Sequence, residues 1–181
     1  AHQSMQEGRW DRKSFDGIQV QNRTLGIIGV GRIGSRVAKR MQGMEMTTIG
    51  YDPYITEERA RQVGVELVDL DTLLAKSDYI TIHTPLTKET EKMINAETIA
   101  KMKDGVRILN FARGELVDSK AIIDALESGK AAAYVTDFPT EEVLAIPGAV
   151  AIPHLGASTE ESEDNCAVMA ARELDDYLVN G

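Results

Sequence analysis

Thr24-Leu-Gly-Ile-Ile-Gly-Val-Gly-Arg-Ile-Gly34 joins an apolar run to three glycines, Gly29, Gly31 and Gly34, at G-x-G-x-x-G spacing. In a strand-to-helix turn the first glycine permits the tight bend, the second lets a pyrophosphate approach the backbone, and the third lets the helix pack closely on the strand. The unpaired N–H groups and positive dipole end of the helix that follows then meet the phosphates. In a chain with 15 glycines the spacing alone has little specificity. Its surroundings add the rest. Ile33, Val37, Ala38 and Met41 recur at helical spacing after the turn, and a second strand-like run ends in Asp52, 18 residues beyond Gly34. A carboxylate there accepts hydrogen bonds from ribose hydroxyls and repels a 2′-phosphate, so the expected cofactor is NAD rather than NADP.

Strand-like runs recur over residues 25–30, 47–51, 79–83, 106–110, 132–136 and 149–152, most of them separated by segments of helical pattern. The alternation predicts an α/β fold, a Rossmann-like doubly wound parallel sheet in three layers of helices, sheet and helices. Asp69, Asn95 and Asp118 stand where helix N-caps belong, and Gly105 and Gly129 where helices end. Ser158-Thr-Glu-Glu161 has capping-box form and opens a long helix over residues 158–181. Cys166, Met169, Ala170, Leu174, Tyr177 and Leu178 recur along it at helical spacing, and are expected to form its buried stripe. Residues 1–22 are a lead-in segment, with helical character running into Gly8 and with Trp10 and Phe15 as its expected anchors.

Composition narrows the function classes. The 181 residues suit one sizeable domain, and a hydrophobic content of 43% suits a packed core. Twenty basic against 29 acidic residues give a formal charge of −9, which disfavours nucleic acid as a partner. The lone cysteine has no internal disulfide partner, no apolar stretch approaches a membrane span, and a cytoplasmic location is expected.

In a doubly wound sheet ligands bind beyond the carboxyl ends of the strands. Four such ends are followed by polar residues: His83-Thr-Pro-Leu-Thr87, Asn110-Phe-Ala-Arg113-Gly, Thr136-Asp137-Phe-Pro-Thr-Glu141-Glu142 and Pro153-His154-Leu-Gly156. Oxidising an alcohol beside a carboxylate needs a base for the hydroxyl proton, a cation for the carboxylate, and a nicotinamide. Histidine suits the first task because its ordinary pKa lies near neutrality, and a guanidinium fork suits the second. No metal set is expected.

With these motifs, and with Trp10-Asp11 and the run from Asn110 to Asp118, nearly the whole chain resembles the D-isomer-specific 2-hydroxyacid dehydrogenases. The resemblance implies that Arg113 binds the substrate carboxylate and carbonyl, that Glu141 supports the histidine, and that His154 exchanges the proton. Glu142, adjacent to Glu141, is the alternative carboxylate. It further implies cofactor contacts from Arg32, Ile33, Asp52, Thr84, Pro85, Ala112, Asp137 and Gly156, with Asp137 near the carboxamide. Such enzymes have a second domain, formed by segments on both sides of the cofactor domain, that holds the small-molecule 2-hydroxyacid. The expectation is therefore that residues 1–181 are the NAD-binding domain alone, that they work with that substrate domain, and that the protein forms a homodimer. An NAD-sensing binding protein is the alternative of a different class.

Overall fold

The apolar run ahead of the glycines is paired on both edges. Thr24–Ile28 (β1) is hydrogen-bonded in parallel to Thr47–Tyr51 (β2) on one side and to Tyr79–Ile82 (β4) on the other. Glu66–Leu67 (β3) extends the sheet beyond β2, while Val106–Asn110 (β5), Ala131–Thr136 (β6) and Ala149–Ala151 (β7) extend it beyond β4. The result, in a computed structural model that describes residues 1–180, is a seven-stranded parallel sheet of order β3-β2-β1-β4-β5-β6-β7. The chain reverses its direction of travel across the sheet between β1 and β4, which places a ligand crevice at their carboxyl ends.

Neighbouring Ile27 and Ile28 are 0% and 1% exposed and belong to separate apolar clusters, as a strand covered on both faces requires. Ile27 packs in a cluster with Ala38 of Arg32–Gln42 (α2). Ile28 shares the larger cluster with Leu73 and Leu74 of Leu70–Lys76 (α4), Ile99 of Ala96–Ala100 (α5) and Ile122 of Ser119–Glu127 (α6). The three N-caps expected at Asp69, Asn95 and Asp118 are made. Asp69 accepts from Thr72 N–H, Asp118 accepts from Ala121 N–H, and Asn95 forms a capping box with Thr98.

Some elements depart from the sequence reading. His2–Gln6 (α1) precedes Gly8 as expected, but Trp10 is 75% exposed and Phe15 48%, so neither is an anchor. Glu57–Gln62 (α3) and β3 have no counterpart in the sequence reading, both being short and polar. The long helix is Glu160–Asn180 (α8), with Ser162 N–H donating to Thr159 Oγ1, one residue later than the box at Ser158; Gly181 lies outside the described residues. The largest correction concerns its stripe: Cys166, Met169, Ala170, Leu174, Tyr177 and Leu178 are all exposed. Helical periodicity shows that α8 has an apolar face, but no residue of 1–180 supplies a surface to cover it.

Candidate active site and cofactor cleft

At the switch point the three glycines do different work. Gly29 turns with φ +89°, and a Cβ there would press on the backbone of His83 at 2.8 Å. A Cβ on Gly34 would collide with the Gly29 carbonyl oxygen, whereas one on Gly31 would meet nothing within 4 Å. Gly31 therefore leaves the backbone open to a ligand. It is also the N-cap of α2 and supplies no side-chain acceptor, so the first-turn amides of Arg32, Ile33 and Gly34 face the opening.

Asp52 closes one side of this cleft. Its Oδ2 accepts from Val30 N–H at 2.9 Å, inside the glycine turn, and its Oδ1 accepts from Tyr54 N–H at 2.9 Å. Each carboxylate oxygen keeps a further lone pair for a ribose hydroxyl. Across the cleft His83 hydrogen-bonds Thr81 Oγ1 through Nε2 at 2.9 Å, and burial pushes its pKa down to about 4. Gly29, Gly31, Asp52, His83, Thr84 and Pro85 line a cavity of about 300 Å³ there.

The chemistry-bearing side chains lie beyond β5, β6 and β7. Asn110, fully buried as the last residue of β5, donates from Nδ2 to the Arg113 carbonyl at 2.8 Å and accepts from Ala112 N–H at 3.2 Å, which shapes the loop bearing Arg113. The Arg113 side chain is exposed and donates to the Ala112 carbonyl. After β6, Thr136 Oγ1 accepts from Phe138 N–H at 3.0 Å, a turn that leaves Asp137 between them with its side chain 7% exposed. Asp137 Oδ2 accepts from His154 Nδ1 at 2.8 Å, and His154 itself is 57% exposed. Phe138 lies near both His154 and Arg113, its ring centroid 4.6 Å from that of His154 and 6.0 Å from Arg113 Cζ. Gly156 follows His154 in the same exposed loop.

Glu141 is not brought to His154. Thr140 caps the short helix Glu141–Leu144 (α7), so Glu141 and Glu142 occupy its first turn, both exposed, and neither hydrogen-bonds another side chain among the described residues. The expected glutamate–histidine pair is thus replaced in this structure by an aspartate–histidine pair.

The model of the family described as D-isomer specific 2-hydroxyacid dehydrogenase, NAD binding domain, matches residues 1–156. The chain belongs to this family. A D-3-phosphoglycerate dehydrogenase of Archaeoglobus fulgidus is 45% identical over 96% of the chain and 34% of its own length. The chain spans about a third of the length of the curated relatives it matches. Among solved structures, the pyruvate reductase of Chlamydomonas reinhardtii superposes with a TM-score of 0.88 at 29% identity, over 99% of this chain and 60% of that one. A D-lactate dehydrogenase of Aquifex aeolicus complexed with NAD and lactic acid gives 0.85 at 29% identity, over 98% and 60%.

As an NAD-binding domain the chain fits its cofactor by its own geometry. The Gly31 approach is unobstructed, the first-turn amides of α2 are uncapped, and Asp137 Oδ1 is buried without a hydrogen-bond partner, in need of a donor. Asn110, Thr136 and Phe138 are the site residues that sequence reasoning did not single out. A polar residue closing an otherwise buried strand is the signal that marks Asn110 and Thr136. No helix among the described residues is long and apolar enough to cross a membrane.

Proposed function

We propose that the chain is the cofactor half of a cytoplasmic, NAD-dependent D-2-hydroxyacid dehydrogenase that oxidises 3-phosphoglycerate to 3-phosphohydroxypyruvate at the entry to serine synthesis. One observation carries the dehydrogenase reading: a histidine paired with a buried carboxylate, with an arginine near the same phenyl ring, at the same end of the sheet as a dinucleotide cleft. The choice of acid is supported by the relatives' names. Gly29, Gly31, Arg32, Ile33 and Gly34 hold the pyrophosphate in this reading, and Asp52 the adenosine ribose. Thr84, Pro85, Ala112, Asp137 and Gly156 surround the nicotinamide, with Asp137 Oδ1 accepting from the carboxamide. When bound, NAD supplies the acceptor for the hydride that leaves the alcohol carbon.

The protein's own part is proton transfer and charge placement. Arg113 swings from the Ala112 carbonyl to the substrate carboxylate, which a guanidinium binds in a fork. An ionised carboxylate only accepts, so Asp137 keeps the proton on Nδ1 of His154, and Nε2 takes the proton from the substrate hydroxyl. The exposed apolar side chains of α8, Met169, Leu174, Tyr177 and Leu178 among them, suit burial against the substrate domain and a second copy in a homodimer.

The full-length protein carrying this domain is to be assayed for NADH formation with 3-phosphoglycerate, lactate and glycerate, and titrated with NAD and NADP. Turnover of 3-phosphoglycerate with preference for NAD is expected. Turnover of only another acid would replace the substrate, and NAD binding with no turnover of any acid would favour a sensor.

A further inference from the structure

The carboxylate next to the base comes from an unexpected place, and topology explains why. β6 and β7 are parallel neighbours with Thr136 paired to Ala151, so the residues just past their carboxyl ends emerge side by side. Asp137 is the first residue after β6 and His154 the third after β7, which brings together groups 17 residues apart in sequence. Glu141 stands four residues beyond Asp137, where Thr140 has already started α7, and the helix turns it away to solvent.

We propose that Asp137 is the positioning carboxylate of His154 in this protein, and that neither Glu141 nor Glu142 has that task. This rests on the dehydrogenase reading above only for the consequence in turnover; the pairing itself stands on the geometry. Three features make Asp137 suited to it. Its side chain is nearly enclosed, so water competes little for its oxygens. The Thr136 turn fixes its backbone, and the adjacent Phe138 ring lies against the imidazole, so a single dipeptide sets both the hydrogen bond and the tilt of the base. Its Oδ1 remains without a partner, so the same carboxylate can hold the ring with one oxygen and accept from a bound cofactor amide with the other. Base and cofactor would then be registered to each other through one side chain.

The test compares Asp137→Asn, Glu141→Gln and Glu142→Gln. In the ligand-free chain, imidazole ¹⁵N spectra of the unmodified protein should show His154 with its proton on Nδ1 in a strong hydrogen bond. That signal should persist in both glutamine variants and vanish in Asp137→Asn, whose amide can donate to Nδ1 and select the other tautomer. In the full-length enzyme, Asp137→Asn should lower kcat by about 10²–10⁴-fold with little change in the KM for the hydroxyacid, and the glutamine variants by less than about tenfold. A purely structural role for Asp137 would leave the ¹⁵N signature intact. The proposal is overturned by an Nε2–H tautomer in the unmodified chain, by persistence of the Nδ1–H signal in Asp137→Asn, or by the large kcat loss falling on Glu141→Gln or Glu142→Gln. Absence of turnover with every acid would sink the dehydrogenase reading while the spectra still decide the pairing.

Discussion

Asp52 and Asp137 are both carboxylates just past a strand end, yet they are held in different ways. Both oxygens of Asp52 accept from backbone amides, at Val30 and Tyr54, so its side of the cleft is fixed by the chain's own turns. Asp137 has one oxygen on a half-exposed histidine and the other on nothing. The cofactor end is therefore complete as it stands. The Asp137–His154 corner is assembled from side chains, and one carboxylate oxygen there has no partner. The contrast is between a carboxylate fixed by rigid backbone and one in a less constrained corner built from side chains.

The most severe way to break the rigid end is Gly34→Ala. The new Cβ meets a backbone carbonyl that cannot rotate away, so a stability loss of about 1–3 kcal/mol by urea denaturation and loss of NAD binding by calorimetry are expected. An unchanged NAD affinity would mean that α2 does not need its close approach to β1. A smaller effect comes from acid. His83 is neutral when folded, with its pKa pushed down to about 4 from 6.5, so stability is full above pH 6.5 and falls as the pH drops toward 4. The loss should be on the order of 2 kcal/mol across that window, and His83→Gln should flatten it. Denaturation midpoints at pH 7 and pH 5 measure both. The smallest effect belongs to the open end. Leu174→Ala on α8 should alter the stability of this chain by less than about 0.5 kcal/mol, because its side chain is 59% exposed; a larger change by urea denaturation would reveal a contact in the isolated chain.

What could be read from sequence followed from how local the physics is. The bounds of β2 and β5 match the expected runs to the residue because apolar stretches between turn residues leave little freedom. The caps Asp69, Asn95 and Asp118 were legible because a cap is a contact between neighbours along the chain. β3 and α3 were not, since two strand residues and six mostly charged ones carry no period. The glycine turn and Asp52 line one cleft, and the Val30 N–H of the turn donates to the Asp52 carboxylate. The Asp137–His154 pair was not legible: it depends on the register of two strands and on where α7 begins, and neither is written in the local pattern. The apolar face of α8 was visible and its burial was not, because periodicity identifies a face without naming what meets it.

The attachment of α8 has a mechanical consequence. A helix of 21 residues is a rod about 31 Å long, and it is rooted six residues after His154. A tilt of about 10° at its root would carry the far end through about 5 Å while scarcely displacing the base. Any surface that holds the tip therefore works a long lever whose root lies six residues from His154 in the chain.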